Sequence, residues 1–330
     1  MNLTTHYLGL KLSGPVILGA SPMVDDVDYV KMIEDAGGSA IVMHSIFQEQ
    51  IEGAPVSDIY AREIYGGAAM DESSEFPKPS DYKLDKDTYL DQIAAIKKNV
   101  KIPCIASLNG YQPGPWTEFA RFVEQAGADA LELNTYHIPT DPRETSDAVE
   151  NRILAAVDAV RKTTKLPIAI KLSPYISSMA NFATRLEGLG INGLTLFNRF
   201  YQSDMDIETL QPVPSIRMSD SSELLLRIHW LAILSHHVDL SFAISGGVHT
   251  EIDAIKAIMS GANAVQTVSS VMLNGPKHIK TMLDGVAEWM KRHGYASIEQ
   301  MHSSLNLSWC ADQSAFERGN YVKTLQSYGS

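Results

Sequence analysis

Cysteine is scarce in this 330-residue chain: Cys104 and Cys310 are all there is. Two thiols build neither a disulfide framework nor a four-thiolate zinc site. Long apolar runs are missing as well. Gly14–Ala20 (GPVILGA) typifies the longest, far short of the about 20 residues that span a bilayer. The opening MNLTTHYLGLKLSG lacks the basic segment, apolar core and small-residue cleavage site of a secretory signal. A reducing cytoplasm is the expected location, with no membrane partner. Positive charge is in deficit, 27 Lys and Arg against 39 Asp and Glu, giving a formal charge of −12. Such a surface repels nucleic acid at long range, although a local basic pocket for a small anion stays open. No H-E-x-x-H, C-x-x-C or Walker motif occurs, so metal catalysis and ATP hydrolysis have no positive support.

What is present is ordinary globular composition, 45% hydrophobic and 20% charged, which excludes wholesale disorder. One phrase recurs at long spacing: AGGSAIVM (36–43), AGADALEL (126–133), LGINGLTLF (189–197) and SGANAVQTV (260–268). Each reads as a helix end, a glycine cap and a short apolar strand. Four more strand candidates stand between them: Pro15–Ala20, Pro103–Leu108, Pro167–Leu172 and Leu240–Ser245. Short strands apolar on both faces suit a parallel sheet covered on both sides. Apolar residues three or four apart predict helices over Asp25–Ala36, Asp87–Asn99, Pro115–Ala126, Glu144–Thr164, Ser178–Leu189, Ser222–His236, Thr250–Ser260 and Pro276–His293.

Eight strands alternating with eight helices predict an α/β chain folded as a (β/α)8 TIM barrel over residues 1–298. A doubly wound open sheet is the alternative, but its G-x-G-x-x-G fingerprint is absent after the first strand, which reads GASPM. Long loops follow strand two (Gln48–Lys86) and strand six (Asn198–Ser221), at the barrel face where active sites are built. Residues 299–330 form a C-terminal extension with Trp309, Phe316, Tyr321 and Tyr328, expected to pack on the barrel or on a neighbouring subunit.

Polar residues stand at every strand mouth. Lys171, in PIAIKLSPY, has apolar neighbours on a central strand, and lysine is rarely buried unless paired or functional. It could form a Schiff base, bind an anion or balance negative charge on a cofactor. The plainer reading is an ion pair with Glu132, one strand away. Gly246-Gly247 after strand seven and Ser269-Ser270 after strand eight suit a phosphate, which needs small residues and open amides. His137, in NTYHIPTDP (134–142), suits a general base near neutral pH, though an ordinary loop histidine would look the same. Tyr136 competes for the role more weakly. His44 divides evenly between ligand contact and structure, and His236-His237 reads as a solvated helix end.

Together these segments resemble the FMN-dependent dihydroorotate dehydrogenases, particularly the class 1 soluble group, from about Leu8 to Ile298. The matching pieces are GPVILGASP (14–22), ELN (132–134), AIKLSPY (169–175), LFN (196–198), ISGGVHTEIDAIKAIMSGANAVQ (244–266) and GYASI (294–298). The resemblance implies FMN at the barrel mouth, its phosphate held by Gly246, Gly247, Ser269 and Ser270. Ala20, Ser21 and Ser45 would line the isoalloxazine, and Asn109 would bond flavin or substrate. Asn134 and Asn198 would anchor both, and Lys171 would balance charge on the flavin. The family's loop after strand four usually reads Asn-Leu-Ser-Cys-Pro-Asn, with Cys as the base. Here His137 takes the Cys position, and Pro139 replaces the substrate-binding Asn. YGGAAMDESSEFPKP (65–79) has no clear counterpart in the family's Asn-rich lid, and His44 stands where a Lys is usual.

The implied function is an FMN oxidoreductase oxidising the CH–CH bond of a small molecule, nominally dihydroorotate to orotate, with a homodimer implied and the electron acceptor unreadable. The alternatives are an aldolase using Lys171 as Schiff base and a non-catalytic FMN-binding subunit.

Overall fold

The computed structural model describes residues 1–53, 85–199, 204–213 and 217–327. Eight parallel strands run in chain order around a ring: β1 (Val16–Leu18), β2 (Ile41–Val42), β3 (Cys104–Asn109), β4 (Ala130–Asn134), β5 (Ile168–Lys171), β6 (Gly193–Leu196), β7 (Ser241–Ser245) and β8 (Ala264–Thr267). The pairing of β8 with β1 and of β2 with β3 closes the circle, with Val265 opposite Val16 and Ile41 opposite Cys104. An open sheet is thereby excluded. The fold is a (β/α)8 barrel. No helix among the described residues is long and apolar enough to cross a membrane.

The outer ring follows from amphipathic helices with local stops and starts: α1 (Val27–Asp35), α2 (Lys86–Asn99), α3 (Phe119–Gln125), α4 (Ser146–Thr163), α5 (Met179–Glu187), α6 (Leu224–Leu234), α7 (Glu251–Ser260) and α8 (His278–His293). Asp85 caps α2 by accepting the amides of Asp87 and Thr88 at 2.9 Å each. Thr145 caps α4 through Ala148 at 3.2 Å. Thr250 and Asp253 close a capping box on α7, satisfying amides that otherwise stay orphaned. Pro115 opens the third helical segment as a 3-10 turn, Pro115–Glu118, before α3 begins, a first-turn position where the amide that proline lacks would be unpaired anyway.

Strand alternation sorts the core into two parts. Outward residues such as Leu131, Leu133, Ile168 and Ile170 pack under the helices. Inward at the barrel's lower end, Ile17, Val42 and Ile105 join four alanines, Ala130, Ala169, Ala243 and Ala264. The small alanines leave room, and an N-terminal hairpin fills it. Thr5–Tyr7 pairs antiparallel with Leu10–Leu12, driving Tyr7, Leu8 and Leu12 into the barrel floor. Neither this hairpin nor the short helices Gln48–Glu52, Ser269–Asn274 and Ile298–Met301 follow from the sequence pattern above.

Strand two is shorter than its apolar run suggests. After Val42 the chain leaves the ladder and rejoins β3 at Ile46–Phe47, opposite Leu108 and Asn109. Most of the long loop after β2 lies outside the described residues, including the segment 65–79. The loop after β6 contains an antiparallel pair, Asp204–Asp206 with Gln211–Val213. In the C-terminal extension, Leu305 donates to Met259 O at 2.7 Å and Leu307 to Ala232 O at 3.0 Å, tying it to the ends of α7 and α6. A final helix, Gln313–Ser327, buries no residue.

Candidate active site

The strand sequence that places charge inside the barrel is ALELN. In β4, Ala130, Glu132 and Asn134 share one face and Leu131 and Leu133 the other, by the two-residue period of a strand. Glu132 is 1% exposed, and its partners come from other strands across the interior. Lys171 of β5 approaches Oε1 at 3.3 Å. Thr195 of β6 donates to Oε2 at 2.9 Å, and Gln266 of β8 donates to the same oxygen at 2.5 Å. Tyr7 from the floor hairpin shares a hydrogen bond with Thr195 at 3.2 Å. Burial pushes the Tyr7 phenol well above the usual tyrosine range, with Glu132 adding to it, so its proton stays on.

Above this layer the mouth carries neutral donors and acceptors. Lys171 is 7% exposed, and Asn134 and Asn109 are buried to a similar degree. Asn198, after β6, donates to the Asn134 side-chain oxygen. Across the mouth the Ser45 and Ser107 hydroxyls bond at 2.7 Å. Ser21 Oγ is buried without a hydrogen-bond partner among the described residues, and Ala20 beside it is half-buried. The structure therefore brings Lys171, Asn134 and Asn198 into one group. His44 binds Asp25 at 3.0 Å through Nδ1.

At the β7 end, Gly246 and Gly247 adopt φ of +90° and +80°, conformations that glycine takes without strain. A Cβ on Gly247 would stand 2.4 Å from the Leu224 amide nitrogen. The loop's own geometry thus requires both glycines. Ser269 and Ser270 open the short helix Ser269–Asn274, whose N-terminus has no side-chain cap. Ser269 Oγ accepts the Ser219 amide at 3.2 Å, and the Ser270 hydroxyl is fully buried against Thr267.

His137 lies elsewhere. Its recess, about 260 Å³, is lined by Thr135, Leu172, Val149, Ile153 and Tyr175 among others. Thr135 and Leu172 alternate with Asn134 and Lys171, so they belong to the outer side of the β4–β5 wall. The imidazole stacks on Tyr111 at 4.1 Å between centroids, and its Nε2 lies 3.8 Å from Glu144 Oε2. Arg152 bonds Glu144 and covers the other ring, 5.2 Å from the Tyr111 centroid. Burial holds the His137 pKa below the ordinary 6.5, helped by Arg152 and opposed by Glu144. His137 is therefore neutral near pH 7.

The sequence model of the dihydroorotate dehydrogenases matches residues 2–290. The chain belongs to the dihydroorotate dehydrogenase family. It is 25% identical over 306 residues to the catalytic subunit of dihydroorotate dehydrogenase B (NAD(+)) of Pyrococcus abyssi, covering 91% of this chain and 97% of that one. Similarity to the chloroplastic dihydropyrimidine dehydrogenase (NADP(+)) of Arabidopsis thaliana is 25% over 324 residues, 91% of this chain and 76% of the relative. Subunit PreA of the NAD-dependent dihydropyrimidine dehydrogenase of Escherichia coli K12 is 24% identical over 325 residues, with the same two coverages. Within this dihydroorotate dehydrogenase-family chain, Gln266, Thr195 and Tyr7 are members of the inward group that strand-end reasoning passes over. Gln266 and Thr195 do carry a signal, a polar residue inside each of two apolar strands, AVQT and GLTL.

Proposed function

We propose that this protein is an FMN-dependent oxidoreductase that oxidises a CH–CH bond in a small ring, nominally dihydroorotate. The observation that carries the reading is the inward group itself, a lysine and two asparagines converging at the barrel mouth, together with a buried Ser21 hydroxyl that has no partner among the described residues. That donor and acceptor set fits the polar edge of an isoalloxazine. Ala20, Ser21, Ser45, Asn109 and Asn134 would hold the ring, with Asn134 and Asn198 also anchoring substrate. Gly246, Gly247, Ser269 and Ser270 would hold the phosphate, where barrels of this kind commonly bind one. Held there, FMN would supply the hydride acceptor for the oxidation.

Lys171 contributes a fixed positive charge where negative charge develops. A base must remove a proton from the neighbouring carbon, and His137 is the candidate, a role that requires its loop to bring the imidazole from the outer side of the β4–β5 wall to the mouth. Its neutral form is favoured, and Glu144 beside Nε2 can orient the ring so that Nδ1 accepts the proton. The 3.8 Å separation is long for a hydrogen bond, as catalytic contacts often are without substrate. A Schiff-base role for Lys171 is disfavoured, because its Nζ is held 3.3 Å from Glu132 Oε1 in a buried ion pair rather than left free to attack a carbonyl.

The ring recognised is open between dihydroorotate and an uncharged dihydropyrimidine, the two substrate types in the relatives' names. Pro139 lines the His137 recess where the family pattern has an asparagine. Anaerobic mixing of the FMN-loaded protein with dihydroorotate and with dihydrouracil tests the reading. Bleaching by either supports oxidation of a CH–CH bond and names the ring. Flavin that binds but is bleached by neither indicates a non-catalytic FMN-binding subunit.

A further inference from the structure

Within the eight strands, Glu132 and Lys171 are the only acidic or basic side chains. The lysine stands at the mouth, while the carboxylate is sealed beneath it at 1% exposure. Glu132 is bound from three strands at once, by Lys171, Thr195 and Gln266, and so is fixed in place rather than free to swing away. Two consequences follow. The ion pair holds the Lys171 ammonium in one position, and its negative partner offsets much of the field the ammonium projects into the mouth.

We propose that Glu132 is a positioning residue that sets the reduction potential of the cofactor by acting as the fixed counter-ion of Lys171. The inference rests on the FMN reading above. Two-electron reduction of a flavin with uptake of one proton leaves one more negative charge at the mouth, and the electrons come from the reductant used in the titration. A buried carboxylate beneath the site opposes that added charge, and a buried ammonium favours it.

The test is a dithionite titration of the FMN-loaded protein against a reference dye, reading the midpoint potential. E132Q keeps the shape and removes the charge. It should favour the reduced form at least tenfold, a rise of about 30 mV for a two-electron couple. K171Q should move the potential at least as far the other way. T195V removes one hydrogen bond to Glu132 without changing charge, and should leave the potential at the wild-type value while lowering stability. Should E132Q fail to fold, the double variant E132Q/K171Q, in which two amides face each other, carries the test. Its potential should lie above that of K171Q alone.

E132Q that binds FMN at an unchanged or lower potential overturns the proposal, as does T195V moving the potential as far as E132Q does. A wild-type protein that binds no FMN overturns the functional reading and this inference with it.

Discussion

The two faces of the β4–β5 wall hold charge in opposite ways. On the inner face Glu132 has three partners from three strands. On the outer face His137 Nε2 and Arg152 Nε and Nη2 are buried with no hydrogen-bond partner among the described residues. One face keeps its carboxylate fully partnered. The other is a polar cluster with unpaired atoms against an apolar recess, and a buried polar group left unpaired costs about 1–3 kcal/mol. A single strand step separates Asn134 from Thr135 and Lys171 from Leu172, so alternation alone decides which residues meet. The inner face can fix charge at a cofactor. The outer face carries the loop in which the candidate base sits.

The sharpest way to break this division is at His137. If Nδ1 is the base, His137→Ala lowers the rate of flavin reduction by about 10²–10⁴, with flavin content unchanged. The rate in the unaltered protein should rise with pH through the His137 pKa, which burial keeps below 6.5, and the variant should lose that limb. A pH series of single-turnover reductions reads both. If the variant reduces its flavin at the unaltered rate, the outer cluster only buttresses the loop, and Tyr136 becomes the candidate.

On the inner face, Lys171→Ala should slow reduction at least about tenfold, near 1.4 kcal/mol of transition-state stabilisation. It also leaves Glu132 buried without its cation, a change that typically costs about 3–5 kcal/mol of stability. Urea unfolding beside the kinetics separates the two effects. The phosphate corner should respond next. Gly247→Ala forces a side chain into a φ of +80° and against the Leu224 nitrogen, at a cost of about 1–3 kcal/mol. It should weaken FMN more than riboflavin, read by fluorescence titration of each. The smallest effect belongs to the floor. Tyr7→Phe removes the hydrogen bond to Thr195 and should cost about 1 kcal/mol in urea unfolding, with the pH profile of reduction unchanged.

The barrel was legible because its signals are local. Every strand but β7 is a short apolar run after a glycine or a proline, and the eight expected strands and helices appear near their expected bounds. The floor hairpin was not, because Tyr7 and Leu8 owe their place to alanines on β4, β5, β7 and β8, contacts that no local pattern carries. Within the candidate site, the grouping of Lys171 with Asn134 and Asn198 followed from strand ends. Glu132 reads from the sequence only as a possible partner of Lys171, and Gln266 and Thr195 do not stand out because they lie within strands rather than at their mouths. The position of His137 depends on how a loop turns at the rim and on Tyr111 and Arg152, which come from the loop after β3 and from α4.

The central claim is that the inner face of the barrel mouth holds FMN. The most direct test is the visible absorption spectrum of the purified protein, followed by identification of whatever heat releases from it. The account predicts a flavin spectrum and FMN, without FAD, in the supernatant. A colourless protein that takes up no added FMN would contradict it.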